Sequence, residues 1–424
     1  MNRRLLAVLF VAVLLAGCGG SKGSSTTTRE PVPGVTDTEI LVGSHQPLTG
    51  PAAPGYSKIA PATKAYFDMV NAAGGVHGRK ITYKFLDDGY NPANTQQVVR
   101  QLVLQDKVFA ILNGLGTPTH SGVLDFLKSN RVPDLFVASG ALAWNNPEKY
   151  PQTFGFQTDY TVEGKILATY VKATYPGQKV CHLGQNDDFG RDHLAGVEKV
   201  LGAGGLAAKE QYVPTNANVA PQMGAFKAAG CTVVILGTVP GFTALSLGTA
   251  ARLPYKPQFI VSSVGGDYRT LAGRLGEAGK PLLEGLIGAG YLSSVDDTAN
   301  PWIQLFRKIN EQYNKGVEFD GNVLYGMSVG YLFVQALQRA GKDLTRDSIV
   351  AAIEKGGFKG PGIVPLQYTK SEHAGYTGLR MGKITGGKQD YFGPTYTSDR
   401  GDGAVKEFSE SQPAPPDNGV PPAA

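Results

Sequence analysis

Residues 108–138 read VFAILNGLGTPTHSGVLDFLKSNRVPDLFVA. An apolar run over 108–112 gives way to the polar, glycine-rich Asn113-Gly114-Leu115-Gly116-Thr117. A helical pattern over 119–130 then sets Val123, Leu124, Phe126 and Leu127 on one face, and a second apolar run covers 134–138. A strand, a helix and another strand of this size form the repeating unit of a parallel sheet, whose strands need a crossover between them.

The same alternation extends outward. Runs at 40–43 and 81–86 come before, with helical patterns at 62–73 and 95–106. Further runs at 180–184, 207–213, 232–236 and 258–261 are separated by helical patterns at 191–203, 219–229 and 243–252. Two such series predict an α/β chain with two doubly wound parallel sheets, covered by helices on both faces. A third block predicts a strand at 286–291, helices at 301–314, 321–340 and 346–355, a strand at 377–384 and a hairpin through Gly386-Gly387. It has too few strands for its own core and must pack on both sheets.

The chain has 424 residues, enough for two or three domains. Its 42% apolar content and mean hydropathy of −0.13 exclude a polytopic membrane protein. Lys and Arg number 40 against 35 Asp and Glu, a net charge of +5 without a basic cluster, so no nucleic-acid partner is expected. No P-loop and no full G-x-G-x-x-G after a strand appears, and no cofactor is expected. Asp187, Asp188, Asp192 and His193 lack a metal-ligand spacing and suit a helix start, so no metal is expected either.

The ends carry separate signals. Asn2-Arg3-Arg4 precedes an apolar run over 5–16, too short to span a bilayer but suited to a signal peptide. Leu15-Ala16-Gly17-Cys18 looks like a lipobox, which predicts a signal peptide over 1–17, lipidation of Cys18 and a flexible tether over 18–35. The proline-rich 398–424 is predicted to be a disordered tail. Cys181 and Cys231 each begin an apolar run; a disulfide between adjacent strands and two buried thiols both fit.

In doubly wound sheets, ligands bind at the carboxyl ends of the strands. Those loops here are small and polar: 44–50, 113–117, Ser139-Gly140, 185–190, Gly237-Thr238-Val239 and Ser262-Ser263. Thr117 reads as a helix N-cap with Pro118 in the first turn, which would leave the amides of Thr119 and His120 for an anion; plain capping explains the same residues. Gly326-Met327-Ser328-Val329-Gly330 fits G-x-S-x-G, with His373 downstream. It lies inside a long helical pattern rather than at a strand-to-helix turn, which speaks against a secreted esterase.

Pro47-Leu48-Thr49-Gly50-Pro51, the segment from Asn71-Ala72-Ala73-Gly74-Gly75 through Val76-His77-Gly78-Arg79-Lys80, Asp87-Asp88 with Pro92, and Asp188-Phe189-Gly190 together resemble the extracytoplasmic solute-binding proteins of ABC importers, in the branched-chain-amino-acid (Leu/Ile/Val) family. The resemblance spans about 36–393 and implies a type I periplasmic-binding fold: two lobes joined by three hinge crossings, near Gln157, Gly288 and Pro361. It implies lobes of 36–156 plus 288–360 and of 157–287 plus 361–397, closing over a small ligand. Thr117 matches the family's carboxylate-holding hydroxyl; Ala138, Ser139 and Gly140 match its loop of amides and a hydroxyl; Tyr56 and Phe189 match its wall aromatics. Trp144 lies just past that loop, for stacking on ligand or for lobe packing, and Val239 lies in the facing loop of the other half. Ser263 stands where amino-acid-binding members carry a carboxylate, with Asp267 four residues on. The resemblance therefore implies a carboxylate-bearing solute, a branched-chain amino acid or another organic or aromatic acid. It further implies no enzymatic activity, a monomer lipid-anchored at the outer face of the cell membrane, and a membrane permease with its ATPase as partners. A ligand sensor that signals to a membrane receptor is the alternative.

Overall fold

In the computed structural model, which describes residues 31–422, β1 (Glu39–Gln46) sends its side chains to two covered faces. Ile40 and Val42 join Phe67 and Val70 of the helix Ile59–Ala72, while Leu41 packs on the other side with Val99, Leu102 and Leu127. Burial on both faces is the condition under which an all-parallel sheet is stable. β2 (Lys80–Asp87), β3 (Ile111–Leu112), β4 (Asp134–Val137) and β5 (Thr153–Gly155) complete that sheet in the order β2-β1-β3-β4-β5.

The second half repeats the plan. β6 (Val180–Gln185), β7 (Ala208–Tyr212), β8 (Val233–Gly237), β9 (Gln258–Val261) and β10 (Ile287–Gly290) run parallel in the order β7-β6-β8-β9-β10. The chain thus folds as the predicted pair of doubly wound lobes. Cys181 on β6 and Cys231, two residues before the neighbouring strand β8, have Cα atoms 5.9 Å apart, and their sulfurs are bonded.

The third block divides between the halves. The helices Pro301–Tyr313, Gly321–Ala340 and Arg346–Glu354 pack on the first sheet's side. Thr63 Oγ1 donates to Gly326 O at 2.8 Å, and the Arg346 guanidinium donates to Val108 O (2.8 Å) and Phe109 O (3.0 Å). β11 (Leu366–Thr369) and β12 (Glu372–Tyr376) form a hairpin against β5, where Tyr368 Oη donates to Gly155 O at 2.7 Å. β13 (Gly378–Thr385), β14 (Lys388–Thr397) and β15 (Lys406–Phe408) extend the second sheet antiparallel from β10.

Two boundaries shift as a result. Gly288 is still inside β10, paired with Gly382, so the second crossing begins after Gly290. Pro361 is followed by Gly362, which bridges Leu292 of that crossing; the chain enters the second sheet only at Gly378. The crossings lie side by side, with Ile363 N donating to Tyr291 O (2.9 Å) and Tyr376 N to Phe156 O (3.1 Å).

The tail also departs from expectation. Residues 398–422 are placed against both lobes, with β15 paired to β14 and carbonyls bonded to Lys165, Trp302 and Tyr66. The segment lacks apolar periodicity because it docks through its backbone. The expected signal peptide over 1–17, the expected lipidation site Cys18 and the first part of the expected tether lie outside the described residues.

Candidate functional site

The carboxyl ends of both parallel sheets face one cavity of about 140 Å³ between the lobes. Its first-lobe wall begins at tight loops. Tyr90 (φ 57°) and Asn113 (φ 55°) are left-handed residues at the ends of β2 and β3, conformations that persist only when the surroundings impose them. Asn113 Nδ2 supplies part of that constraint, donating to Phe136 O (2.7 Å) and Tyr325 Oη (2.9 Å). At Gly116 (φ 106°) a Cβ would meet the Tyr90 ring and Thr119 Oγ1, so the loop needs glycine there.

Of the residues expected at the site, Tyr56, Thr117, Ala138, Phe189, Val239 and Ser263 line the cavity. Ser139 and Gly140 do not. Ser139 is buried behind Thr117, with 2.7 Å between their hydroxyl oxygens, and Gly140 packs against Thr158 O and the Tyr160 ring at the first crossing. Trp144 does not line it either: its ring is 1% exposed and meets His120 edge-on at 5.1 Å within a cluster of Leu124, Val137 and Tyr160. Thr117 is the first helical residue and Gly116 the N-cap; the helix Thr117–Ser121 is one short turn, and His120 N donates to Gly116 O at 3.0 Å. The expected pair of free amides is therefore not presented. The long helix expected over 119–130 breaks at Gly122 and resumes as Leu124–Ser129.

Beneath this loop lies a chain of fully buried groups. Asp88 Oδ2 meets His45 Nδ1 (2.8 Å), His45 Nε2 meets His120 Nδ1 (2.9 Å), and His120 Nε2 meets Asp134 Oδ2 (2.8 Å). Three hydrogen bonds need three protons, one more than two neutral imidazoles supply. Burial nevertheless pushes the His45 pKa down, against the opposing pull of Asp88. The network fixes β1, β4 and the loops after β2 and β3 relative to one another.

The rest of the wall was not visible from local motifs. Tyr90, Tyr160, Tyr291, Tyr325 and Tyr391 join Tyr56 there, contributed by six separate segments. Burial pushes all six phenol pKa values up, so the hydroxyls remain neutral hydrogen-bond groups at ordinary pH. At Gly290 a Cβ would collide with Tyr391 Oη, so glycine makes room for that ring. Asn113 donates to Tyr325 Oη, and Gln185 Nε2 donates to Tyr90 Oη (3.3 Å) and to Asp187 Oδ2 (2.6 Å). Those phenols accept from protein amides, which leaves their own protons for another acceptor. No Lys, Arg or His is among the lining residues, and Asp267 is the one acid among them. Asp267 caps the helix Tyr268–Gly279 at Thr270 N (2.8 Å) and accepts from Gly321 N (3.0 Å) across the cleft. Behind Ser263, the fully buried Glu163 accepts from Ser263 N (2.6 Å) and Ser262 Oγ (2.9 Å); burial raises its pKa against those bonds.

The lobes touch directly around the cavity. Tyr56 Oη donates to Val264 O (2.8 Å), Asn322 Nδ2 to Thr270 Oγ1 (3.0 Å) and Leu142 N to Asp192 Oδ2 (2.9 Å). The G-x-S-x-G serine is elsewhere: Ser328 is buried inside the helix Gly321–Ala340 and donates to Leu324 O, while His373 stacks on Phe154. Asp187 caps the helix Asp188–Leu201, and no group of metal-ligating side chains occurs among the described residues.

Residues 39–389 match the family model described as "Periplasmic binding protein". Leu/Ile/Val-binding protein homolog 1 of Brucella abortus is 26% identical over 369 residues, covering 83% of this chain and 93% of that protein. The match to Leu/Ile/Val-binding protein homolog 3 of Brucella melitensis is shorter: 24% identity, 47% of this chain and 54% of that relative. A branched chain amino acid ABC transporter structure from Thermus thermophilus, with bound valine, shares the fold at a TM-score of 0.75 and 24% identity, covering 86% of this chain and 97% of that one. The fatty acid ABC transporter substrate-binding protein from Thermomonospora curvata shares it at 0.75 and 24%, covering 87% and 95%. Matched over most of its length, and built as two parallel-sheet lobes around one shared cavity, the chain belongs to the periplasmic binding protein family, alongside relatives named for leucine, isoleucine and valine.

Proposed function

We propose that this chain is the solute-binding component of an ABC importer, taking a small carboxylate-bearing organic solute between its lobes and delivering it to a membrane permease and its ATPase. It works as a monomer held at the outer face of the membrane through a lipid on Cys18. The observation that carries this reading is the cavity shared by both lobes, walled by phenols, with no cation and one acid. Thr117 and the phenol protons of Tyr90 and Tyr325 suit a carboxylate; the rings of Tyr56, Phe189 and Tyr291 suit an apolar body. Valine, bound in one structural neighbour, and fatty acids, named for another, share a carboxylate. Asp267 gives the wall an acceptor for an ammonium group, a role that Ser263 lacks the charge to fill.

The test is a thermal-shift screen of leucine, isoleucine, valine, phenylalanine and their amine-free acids, followed by calorimetry. A ligand at 100 times its Kd adds about 2.7 kcal/mol and raises the melting temperature. Thr117→Val weakens the acid that binds by about 1–3 kcal/mol, the cost of an unmet buried polar partner. Asp267→Asn weakens amino acids more than their amine-free counterparts. If no acid shifts the transition the carboxylate reading fails, and unchanged affinity in Thr117→Val removes that residue from the site.

A further inference from the structure

Beyond the three crossings, the C-terminal segment joins the lobes a fourth time. It leaves the second sheet at β15, where Thr395 of β14 pairs with Phe408. Just upstream, Lys165 Nζ donates to the carbonyls of Asp399 (2.7 Å), Gly401 (2.9 Å) and Gly403 (2.7 Å), although its side chain comes from the second-lobe helix Tyr160–Thr174 and is 3% exposed. At the crossings, Gln412 Oε1 accepts from Ser293 Oγ (3.2 Å) and Asn300 Nδ2 (2.9 Å), and Gln412 Nε2 donates to Pro361 O. One side chain therefore ties two stretches of the hinge region together.

The far end lies on the first lobe. Trp302 Nε1 donates to Pro413 O (2.6 Å) and Tyr66 Oη to Gly419 O (2.7 Å). Both rings are core residues, 1% and 0% exposed, and these carbonyls accept from their polar atoms. A buried donor without a partner is costly, so the first lobe holds the segment firmly. Pro413, Pro415 and Pro416 stiffen the span between Gln412 and Gly419 and reduce the entropy lost on docking.

We propose that residues 398–422 are an inter-lobe strap that limits opening of the cleft and keeps the ligand-free molecule near the arrangement in which the lobes touch. All its anchors on both lobes are made together with the direct lobe contacts Tyr56–Val264 and Asn322–Thr270. Opening must stretch the strap or release one end. A binding site so preorganised keeps more of its intrinsic affinity, since apparent affinity scales with the population of the competent state. This inference rests on the reading of the cleft as a site whose lobes open and close.

The test measures the distance across the cleft by pulsed electron paramagnetic resonance. Ketone-bearing residues at the exposed Ala93 and Ala217 carry the spin labels, so the cysteines are left alone. Three ligand-free proteins are compared: the full chain, a chain ending at Phe408, and a full-length chain with ten Gly/Ser residues inserted between Glu410 and Ser411. The insertion keeps every anchor and only slackens the strap, so it stays informative if truncation impairs folding. The expected result is a narrow distribution for the full chain and a broader one, shifted to longer distances, for the slackened chain. Broad distributions that superimpose would overturn the strap and leave lobe closure standing. Narrow distributions that superimpose would overturn both.

Discussion

A buried histidine gives a residue-scale prediction with a definite sign. His373 on β12 has Nδ1 2.9 Å from Thr153 O and its ring centroid 3.8 Å from that of Phe154. Burial pushes its pKa down to about 4, while the bond to Thr153 acts in the opposite direction. The unfolded chain binds this proton at about pH 6.5, so unfolding takes up a proton between about pH 6.5 and 4. The contribution of His373 is thus complete above about 6.5 and is lost as pH falls toward 4. The stability difference between the parent and His373→Gln should shrink across that window by up to about 1.4 kcal/mol per pH unit, read from urea titrations. A difference that stays constant with pH would refute this. At the same scale, legibility was uneven. Thr117 and Phe189 open helices just past the carboxyl ends of strands, and Ser263 lies in the loop after β9, so position alone pointed to the cavity. Tyr291, Tyr325 and Tyr391 come from a crossing, a helix interior and an antiparallel strand; only the assembled fold brings them together. Trp144 stayed open between two readings because a large aromatic beside a ligand loop fits a core as well as a wall, and it packs in a core cluster.

Among the elements, periodicity identified those that bury a regular face. β1, β4, β6, β8 and β9 and the helix Gly321–Ala340 all fall where apolar spacing put them. β5, β11, β12 and β15 were not legible, because they hold no run of consecutive apolar residues, unlike β4 and β9 of similar length. The one covalent link between elements supports a second prediction. The Cys181–Cys231 bridge closes a sequence separation of 50 within the second lobe. Chain-entropy reasoning assigns such a loop about 4 kcal/mol of stabilisation. Cys181→Ser with Cys231→Ser should therefore lower the urea midpoint, and stability within 1 kcal/mol of the parent would contradict a bridge that constrains the unfolded chain.

For the whole molecule, the doubled strand order was legible as architecture, and the resemblance supplied the clamshell arrangement that periodicity does not encode. The C-terminal segment was not legible, because its partners, Lys165, Tyr66 and Trp302, are remote in sequence and its own residues show only a proline-rich, aperiodic composition. Lys165 carries a consequence of its own. The Lys165 amine is enclosed by three backbone oxygens and the Asp399 carboxylate and is only 3% exposed, whereas Lys172 and Lys179 are exposed. Acetic anhydride should acylate those two early and reach Lys165 only after 399–403 peels away, so residue-resolved mass spectrometry would make this lysine a chemical clock for undocking of the chain's last stretch.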